Sequence, residues 1–425
     1  MPAFGGTPLQ VTTIDRAHGE GTAGYVQALP GGHFLYGVVS YGVVSTDPQK
    51  AGIYAATLAK PAERVRLLAN AIDVRYASGV DGEDYLLWIR DRTLFAQPFN
   101  TEKLQLIGEP RLLADPVAMA SSGGRSLLYG SSIGLRQFKW LDRKGNDVGL
   151  LGEIGAWAFS RISPDGGRVA TTRADGLRGV WLLETRRGVA NRLTTSISPL
   201  SPVWSPDEKT ILFSRFAIYR IGVDGTGIEE RVTQSPNVQS VSDWSRDGRF
   251  VVYSEVAPDT GRDLWVLPVT SEGRPSPGAK PWPFVREPFD QQTARFSPDT
   301  HWVAYQSDES GQFEIYVRSF PEPREKIRIS TGGGTYPQWG SGGRELFYQS
   351  RDGKLMVVTL TTTASLEASL PRQLFALPAF VPGPNPYEAT PDGQRFLIPE
   401  PAASPEPLNV IVNWPALLKK GAPAP

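Results

Sequence analysis

One short motif returns along the chain and constrains its fold more than any other feature. Ser163-Pro164-Asp165-Gly166 recurs as Ser205-Pro206-Asp207, Ser245-Arg246-Asp247-Gly248, Ser297-Pro298-Asp299, the degenerate Gly340-Ser341-Gly342-Gly343 and Thr390-Pro391-Asp392-Gly393. Proline presets φ for the second position of a type I turn, serine and aspartate bond nearby backbone amides, and glycine suits the closing position. Set between two β-rich runs, such a turn closes a hairpin. Each turn but the first and last follows an aromatic or bulky strand residue (Val203-Trp204, Asp243-Trp244, Arg295-Phe296, Gln338-Trp339). A lone hairpin could not cover those rings, so each unit needs a neighbouring copy.

The copies come at steps of 40 to 52 residues. Each turn leads into an apolar second strand, such as Phe250 to Ser254 or Trp302 to Gln306, and then a third, such as Leu264 to Val269 or Glu314 to Phe320. Most copies add a fourth. A period of this length with four short strands per unit is the mark of β-propeller blades, and no helical 3.6-residue period competes with it. The expected fold is all-β, a propeller of four-stranded antiparallel blades.

Three weaker units precede the six strong ones. They read as Leu29-Pro30-Gly31-Gly32 followed by His33 to Val39, as Asp81-Gly82 followed by Tyr85 to Ile89, and as Ser122-Gly123-Gly124 followed by Ser126 to Tyr129, Arg136 to Leu141 and Val148 to Leu151. The expected division is 1–152 for three leading blades, 153–414 for a six-bladed propeller with Leu408 to Trp414 as a third strand of its last unit, and 415–425 for a disordered tail. That last unit lacks a fourth strand, and an open edge invites aggregation. Either Leu9 to Thr13 completes it and closes one nine-unit ring, or Val148 to Leu151 does and closes a ring of six. Nine blades exceed the usual range, which favours the second.

Composition narrows function by exclusion. Lys+Arg and Asp+Glu both number 44 in the 425 residues, so no net field recruits nucleic acid or an anionic membrane. Cysteine is absent, which removes disulfides, thiolate catalysis and cysteine-based metal sites. Met1 to Thr13 lacks the basic flank and apolar core of a signal peptide, and no window approaches a membrane span. No membrane insertion by this chain is expected.

Catalytic motifs are weak. Gly130-Ser131-Ser132-Ile133-Gly134 fits Gly-x-Ser-x-Gly by spacing, but a nucleophile elbow needs a helix after it, and Leu135 to Leu141 reads as a strand. His18, His33 and His301 are too scattered for a metal centre. Acidic Asp81-Gly82-Glu83-Asp84 lacks the alternation of a calcium loop and reads as a solvated turn. The repeated turn aspartates read as caps. No metal and no cofactor is expected.

The motifs Phe296-Ser297-Pro298-Asp299 with Trp302-Val303-Ala304-Tyr305, Glu314-Ile315-Tyr316-Val317, Glu345-Leu346-Phe347-Tyr348 and Pro391-Asp392-Gly393-Gln394-Arg395-Phe396-Leu397 resemble the TolB-like, WD-repeat-like propellers. More narrowly, they resemble the C-terminal propeller region of bacterial membrane-anchored Ser/Thr protein kinases. The chain carries no Gly-rich nucleotide loop, His-Arg-Asp loop or Asp-Phe-Gly motif, so no kinase activity carries over. The resemblance implies a sensor or interaction module, extracytoplasmic where it belongs to such a kinase.

Binding in a propeller is expected near the channel where innermost strands converge. The residue before each aromatic anchor reads Arg161, Val203, Asp243, Arg295, Gln338 and Glu388. Five of these six are polar, unusual for strands that pack on both sides. Two readings stay open: salt bridging between adjacent blades, or a ring of ligand-facing groups made by Arg161, Asp243, Arg295, Gln338 and Glu388. The expected function is a non-catalytic module that binds a protein, peptide or small molecule at the channel or face. The alternatives are a propeller-borne hydrolase or lyase using Asp243 and Glu388, and a fragment of a larger receptor kinase or prolyl-oligopeptidase-like protein.

Overall fold

A computed structural model describes residues 20–40, 52–69, 73–78, 82–90, 93–115, 117, 119–123, 125–130, 134–174, 178–194, 199–225, 227–257, 259–362, 366–378, 385–402 and 408–418. The chain divides into two compact units, Gly134–Ala403 and Met1–Ile133 with Ser404–Pro425.

Gly134–Ala403 is a ring of six antiparallel sheets. Blade I runs outward through Trp157–Ile162, Arg168–Arg173, Gly179–Glu184 and Ala190–Arg192. Blade II starts at Leu200–Trp204, blade III at Gln239–Trp244, blade IV at Gln291–Phe296 and blade V at Gly334–Gly340. In blade V both Leu366–Ala368 and Arg372–Ala376 pair with the third strand, Lys354–Thr362. Blade VI takes its inner strands, Glu388–Ala389 and Arg395–Pro401, from the end of the unit and its outer ones, Arg136–Asp142 and Asp147–Gly155, from the beginning. Each innermost strand touches the next, and Glu388–Ala389 touches Trp157–Ile162, so the circle is closed.

The core lies between blades. Each of six apolar clusters joins two successive sheets, as where Phe138, Trp140 and Leu397 of blade VI meet Trp157, Val169 and Leu183 of blade I. Central strands are therefore covered on both faces and read as apolar runs: every residue of Thr210–Ser214 is buried. Outermost strands such as Ala190–Arg192 keep water on one side. With about 1.5–3 kcal/mol gained per large apolar side chain buried, no blade can do without its neighbours.

The repeated turns behave as their composition requires. Ser163 Oγ donates to Asp165 Oδ1 (2.6 Å) and accepts from Arg168 N (3.0 Å), while Asp165 Oδ1 accepts from Gly167 N (2.7 Å). The same hydroxyl-to-carboxylate bond recurs from Ser205, Ser245, Ser297 and Thr390. These bonds hold the Asp165 and Asp392 carboxyls below the usual range, the Ser163 and Thr390 hydroxyls contributing most. Gly166, Gly248 and Gly393 take the left-handed conformation that closes the turn; Glu208 (φ 59) and Thr300 (φ 61) adopt it without glycine's freedom.

The other unit holds a four-stranded sheet over Glu20–Leu29, His33–Ser40, Gly52–Thr57 and Lys60–Ala69, a five-stranded sheet over Asp73–Ser78 to Arg111–Ala114, and a three-stranded sheet of Met119–Gly123, Ser126–Gly130 and Asn409–Val412.

Two sequence expectations are corrected here. Leu408 to Trp414 does not continue the last strong unit: Asn409–Val412 pairs with Ser126–Gly130. Conversely, Arg136 to Leu141 belongs with Arg395–Pro401 rather than with the third leading unit, while Val148 to Leu151, within Asp147–Gly155, completes that last blade and closes the ring of six, as the second of the two closures expects. The dividing points at 152 and 414 thus differ from the observed ones at 133 and 403. The reason is that strands of equal length and alternation fit either sheet, and the pairing is settled by which apolar faces meet across long stretches of chain. Trp414 is wholly buried with its ring edge-on to Tyr85 (5.3 Å), and Trp414–Leu418 forms a 3₁₀ turn at the start of the expected tail, overlapping the one helical turn, Ala416 to Lys420, that the sequence allows there. Leu9 to Thr13, the alternative closing strand, lies outside the described residues, as do residues 419–425.

Candidate functional site

At the turn end of the six-bladed ring the innermost strands open into a cup of about 400 Å³. Its floor holds Arg161, Val203, Asp243, Arg295, Gln338 and Glu388, the six equivalent positions picked out from the repeat. Trp204, Trp244, Phe296 and Trp339 form the wall. The rim carries one turn residue from each of five blades: Pro164, Pro206, Arg246, Pro298 and Pro391.

A feature invisible in the repeat aims the floor side chains. In blades I to V the pairing of the innermost strand with its neighbour slips just before the floor residue, between Ala158 and Arg161, Leu200 and Val203, Val241 and Asp243, Gln292 and Arg295, and Thr335 and Gln338. In four of these slips the residue two places before the floor is left-handed: Phe159 (φ 47), Ser201 (φ 49), Thr293 (φ 53) and Tyr336 (φ 56). Such bulges bend a strand and re-aim a side chain, and the strained conformations cost roughly 1–3 kcal/mol each unless the surroundings hold them.

The bonding between blades is realised in part. Floor groups bond forward to the next blade: Asp243 Oδ2 accepts from Phe296 N (2.9 Å) and Gln338 Oε1 from Ala389 N (2.8 Å). The arginines reach across the ring instead. Arg161 of blade I donates to Ser242 O of blade III (2.6 Å) and lies 3.5 Å from Asp243 Oδ1. Arg295 of blade IV donates to the same Ser242 O (3.0 Å), lies 3.9 Å from Asp243 Oδ1, and reaches Glu388 Oε1 of blade VI at 3.4 Å. Glu388 Oε1 also accepts from Gln338 Nε2 (3.2 Å) and Asn385 Nδ2 (3.1 Å). The ion pairs are therefore long, and several point across the channel rather than only to the adjacent blade.

Burial shapes the charges. It pushes the Asp243 carboxyl up to about 6, against the pull of Arg161 and the amides of Phe296 and Trp244. It pushes Glu388, whose side chain is only 4% exposed, up to about 7, against Arg161, the Ile162 amide and Gln338. Nε of Arg161 and Nε of Arg295 are buried with no hydrogen-bond partner among the described residues. Guanidinium donors thus outnumber the acceptors offered to them on the floor.

The other sequence candidates lie elsewhere. His301 is an exposed turn residue 3.3 Å from Asp299 Oδ2. His18 and Ser131 to Ile133 of the Gly-x-Ser-x-Gly stretch are outside the described residues, and Arg136–Asp142 after that stretch is a strand, not the helix of a nucleophile elbow. Asp84 accepts from the hydroxyls of Tyr76 (2.7 Å) and Thr101 (2.5 Å), a structural turn, while Asp81 lies outside the described residues. No group of three or more metal-ligating side chains gathers among the described residues, and none of their helices is long and apolar enough to cross a membrane. Sequence reasoning missed two residues. Arg246 is signalled only by its departure from proline in the repeat; Asn385, which ties Glu388 to Ser160 O (2.8 Å), has no signal at all.

No protein-family model matches the chain, and no curated protein does. Solved structures do. A TolB from Agrobacterium tumefaciens superposes with a TM-score of 0.50 at 18% identity, over 64% of this chain and 99% of that one. TolB from Acinetobacter baumannii gives 0.42 at 12% over 76% and 79%, and the β-propeller domain of Cps50 (Swd1) from Myceliophteria thermophila gives 0.38 at 12% over 52% and 73%. What is shared at this identity is the architecture, and the chain folds as a β-propeller similar to TolB.

Proposed function

We propose that Gly134–Ala403 is a non-catalytic binding module whose ligand, a protein segment, peptide or small molecule, sits in the cup. The observation that carries this reading is the convergence of five polar side chains on the floor of a concave, aromatic-walled cavity, each placed by its own blade and most of them aimed by a bulge. Ligand sites share this form, a concave hollow into which a few polar groups converge. The motifs resembling kinase-associated propellers fit the same reading and make a sensor or interaction role the finer proposal.

Pro206→Trp tests it. The turn tolerates a large residue there, because Arg246 fills the equivalent place in blade III, and an indole at position 206 would overhang the cup. Compounds and short peptides that raise the melting temperature of the natural protein are expected to leave the Pro206→Trp protein unmoved. Hits that shift both proteins alike would place the ligand elsewhere and end the proposal.

One observation favours a second reading, a hydrolase or lyase. Burial brings Asp243 and Glu388 toward neutral pH, the range in which a carboxyl serves as general acid or base. Asp243→Asn separates the two. On the binding reading the variant keeps ligand affinity within a few-fold and no turnover is present to lose; on the enzymatic one, turnover falls by about 10²–10⁴.

A further inference from the structure

We propose that the cup recognises a carboxylate, with Arg246 at the rim meeting the anionic group and Arg161 and Arg295 on the floor supplying the field that holds it. This rests on the cup being a ligand site and names the chemistry of what enters it.

The repeat itself makes the argument. At the second position of the turn the blades carry Pro164, Pro206, Pro298 and Pro391, residues that stiffen the loop, and Ser341 in the degenerate copy. Blade III alone carries Arg246. A type I turn needs no arginine there. Arg246 is exposed, lines the cup, and makes no hydrogen bond or ion pair among the described residues. By contrast, Arg249 in the same turn pairs with Asp247, and Arg168 beside the blade I turn pairs with Glu208.

The charge balance of the cup points the same way. Its charged groups are Arg161, Arg246, Arg295, Asp243 and Glu388, one positive charge in excess when both carboxyls are ionised. The two carboxylates are already bonded to backbone amides and to Gln338 and Asn385, so they neutralise the arginines incompletely. The buried Nε donors left without partners add to the shortage of acceptors. As pH falls, Asp243 and Glu388 take up protons and the excess grows, while an ordinary carboxylate ligand stays ionised. The apolar part of such a ligand would lie against the proline rim and tryptophan wall.

The carboxylate could belong to a peptide or to a small acid, and the experiment separates these. Dye-labelled tetrapeptides carrying Asp, Glu, Asn, Gln or Lys at one position, with free or amidated C-termini, are titrated by fluorescence anisotropy into the whole chain, with succinate and inorganic phosphate as competitors. Carboxylate-bearing peptides are expected to bind about tenfold more tightly than their amides. Binding should tighten from about pH 8 to about pH 5.5, Arg246→Glu should erase the preference, and Arg246→Lys should retain most of it. Displacement by succinate assigns small acids as sufficient ligands; displacement only by acidic peptides assigns the peptide-borne group. Equal affinity for acid and amide, with Pro206→Trp still blocking both, overturns the carboxylate and leaves the binding module standing. Phosphate competing as well as succinate overturns carboxylate selectivity, and no binding by any probe overturns both proposals. Arg246 is exposed and unpartnered, so folding of its variants, checked by circular dichroism, is expected to be unchanged.

Discussion

Replacing Arg295 by methionine is expected to cost about 3–5 kcal/mol of stability near pH 8 and much less near pH 5. The guanidinium is 10% exposed and reaches Glu388, itself 4% exposed; without it Glu388 keeps a buried charge bonded to neutral donors, with only the more distant Arg161 to offset it. The sign follows from linkage. Glu388 and Asp243 already have folded-state values raised to about 7 and about 6, above those of an unfolded chain. A raised acid penalises the folded state above its folded pKa, and the penalty disappears as pH falls toward the unfolded value near 4. Removing Arg295 raises both acids further, so the loss is largest where they are ionised and shrinks once they are neutral. The turn aspartates contribute with the opposite sign. Asp165 and Asp392 are depressed, so their stabilisation persists through neutral pH and fades only as pH falls below the unfolded carboxylate range. Urea unfolding across this pH range checks the claim, with Arg295→Lys keeping the charge and expected to lose less. A loss for Arg295→Met that does not change with pH would mean that the arginine matters through packing alone.

How far such a site can be read from sequence depends on what each residue responds to. The turns were legible because a proline, a hydroxyl and an aspartate act locally: Ser163 and Asp165 bond within five residues of each other, and the same solution repeats in four more blades. The floor was legible because repeats put equivalent positions at equivalent depth, so polar residues at five of the six positions two places before the turns stood out against an apolar background. What the side chains do on that floor was not. Arg161 skips blade II and finds Ser242, because Val203 offers it nothing and the bulge before Arg161 turns its side chain across the ring. Bulges leave no mark here, since Phe159, Ser201, Thr293 and Tyr336 are not residues that advertise a left-handed backbone. Asn385 was hidden for a simpler reason: it sits in an irregular segment with no repeat to compare it with. Strand partnership failed to read for a third reason, because alternation tells which face of a strand is apolar and not which sheet receives it.

A fragment that begins at Ala156, where the strong repeats begin in sequence, is expected not to fold, whereas Gly134–Ala403 is expected to fold alone. The difference is the hairpin Arg136–Asp142 and Asp147–Gly155. It supplies both outer strands of blade VI, and seven residues of Arg136–Asp142 pair one to one with Arg395–Pro401. Without it Arg395–Pro401 becomes a bare edge, and blades V and I each lose the sheet against which they pack. Phe138 and Leu151 are wholly buried between blades VI and I, and Leu141 is buried between VI and V, so the hairpin closes the ring on both sides. A single substitution gauges the interaction: Phe138 stacks on Trp157 with ring centres 6.1 Å apart, and Phe138→Ala is expected to cost about 3–5 kcal/mol. Limited proteolysis of the whole chain, read by mass spectrometry, gives the larger test. Protection running from near Gly134 to near Ala403 accords with closure by the hairpin. A resistant core that starts at Ala156 and retains its near-ultraviolet circular dichroism would show that the six-bladed ring closes without it, and the assignment of blade VI would have to be abandoned.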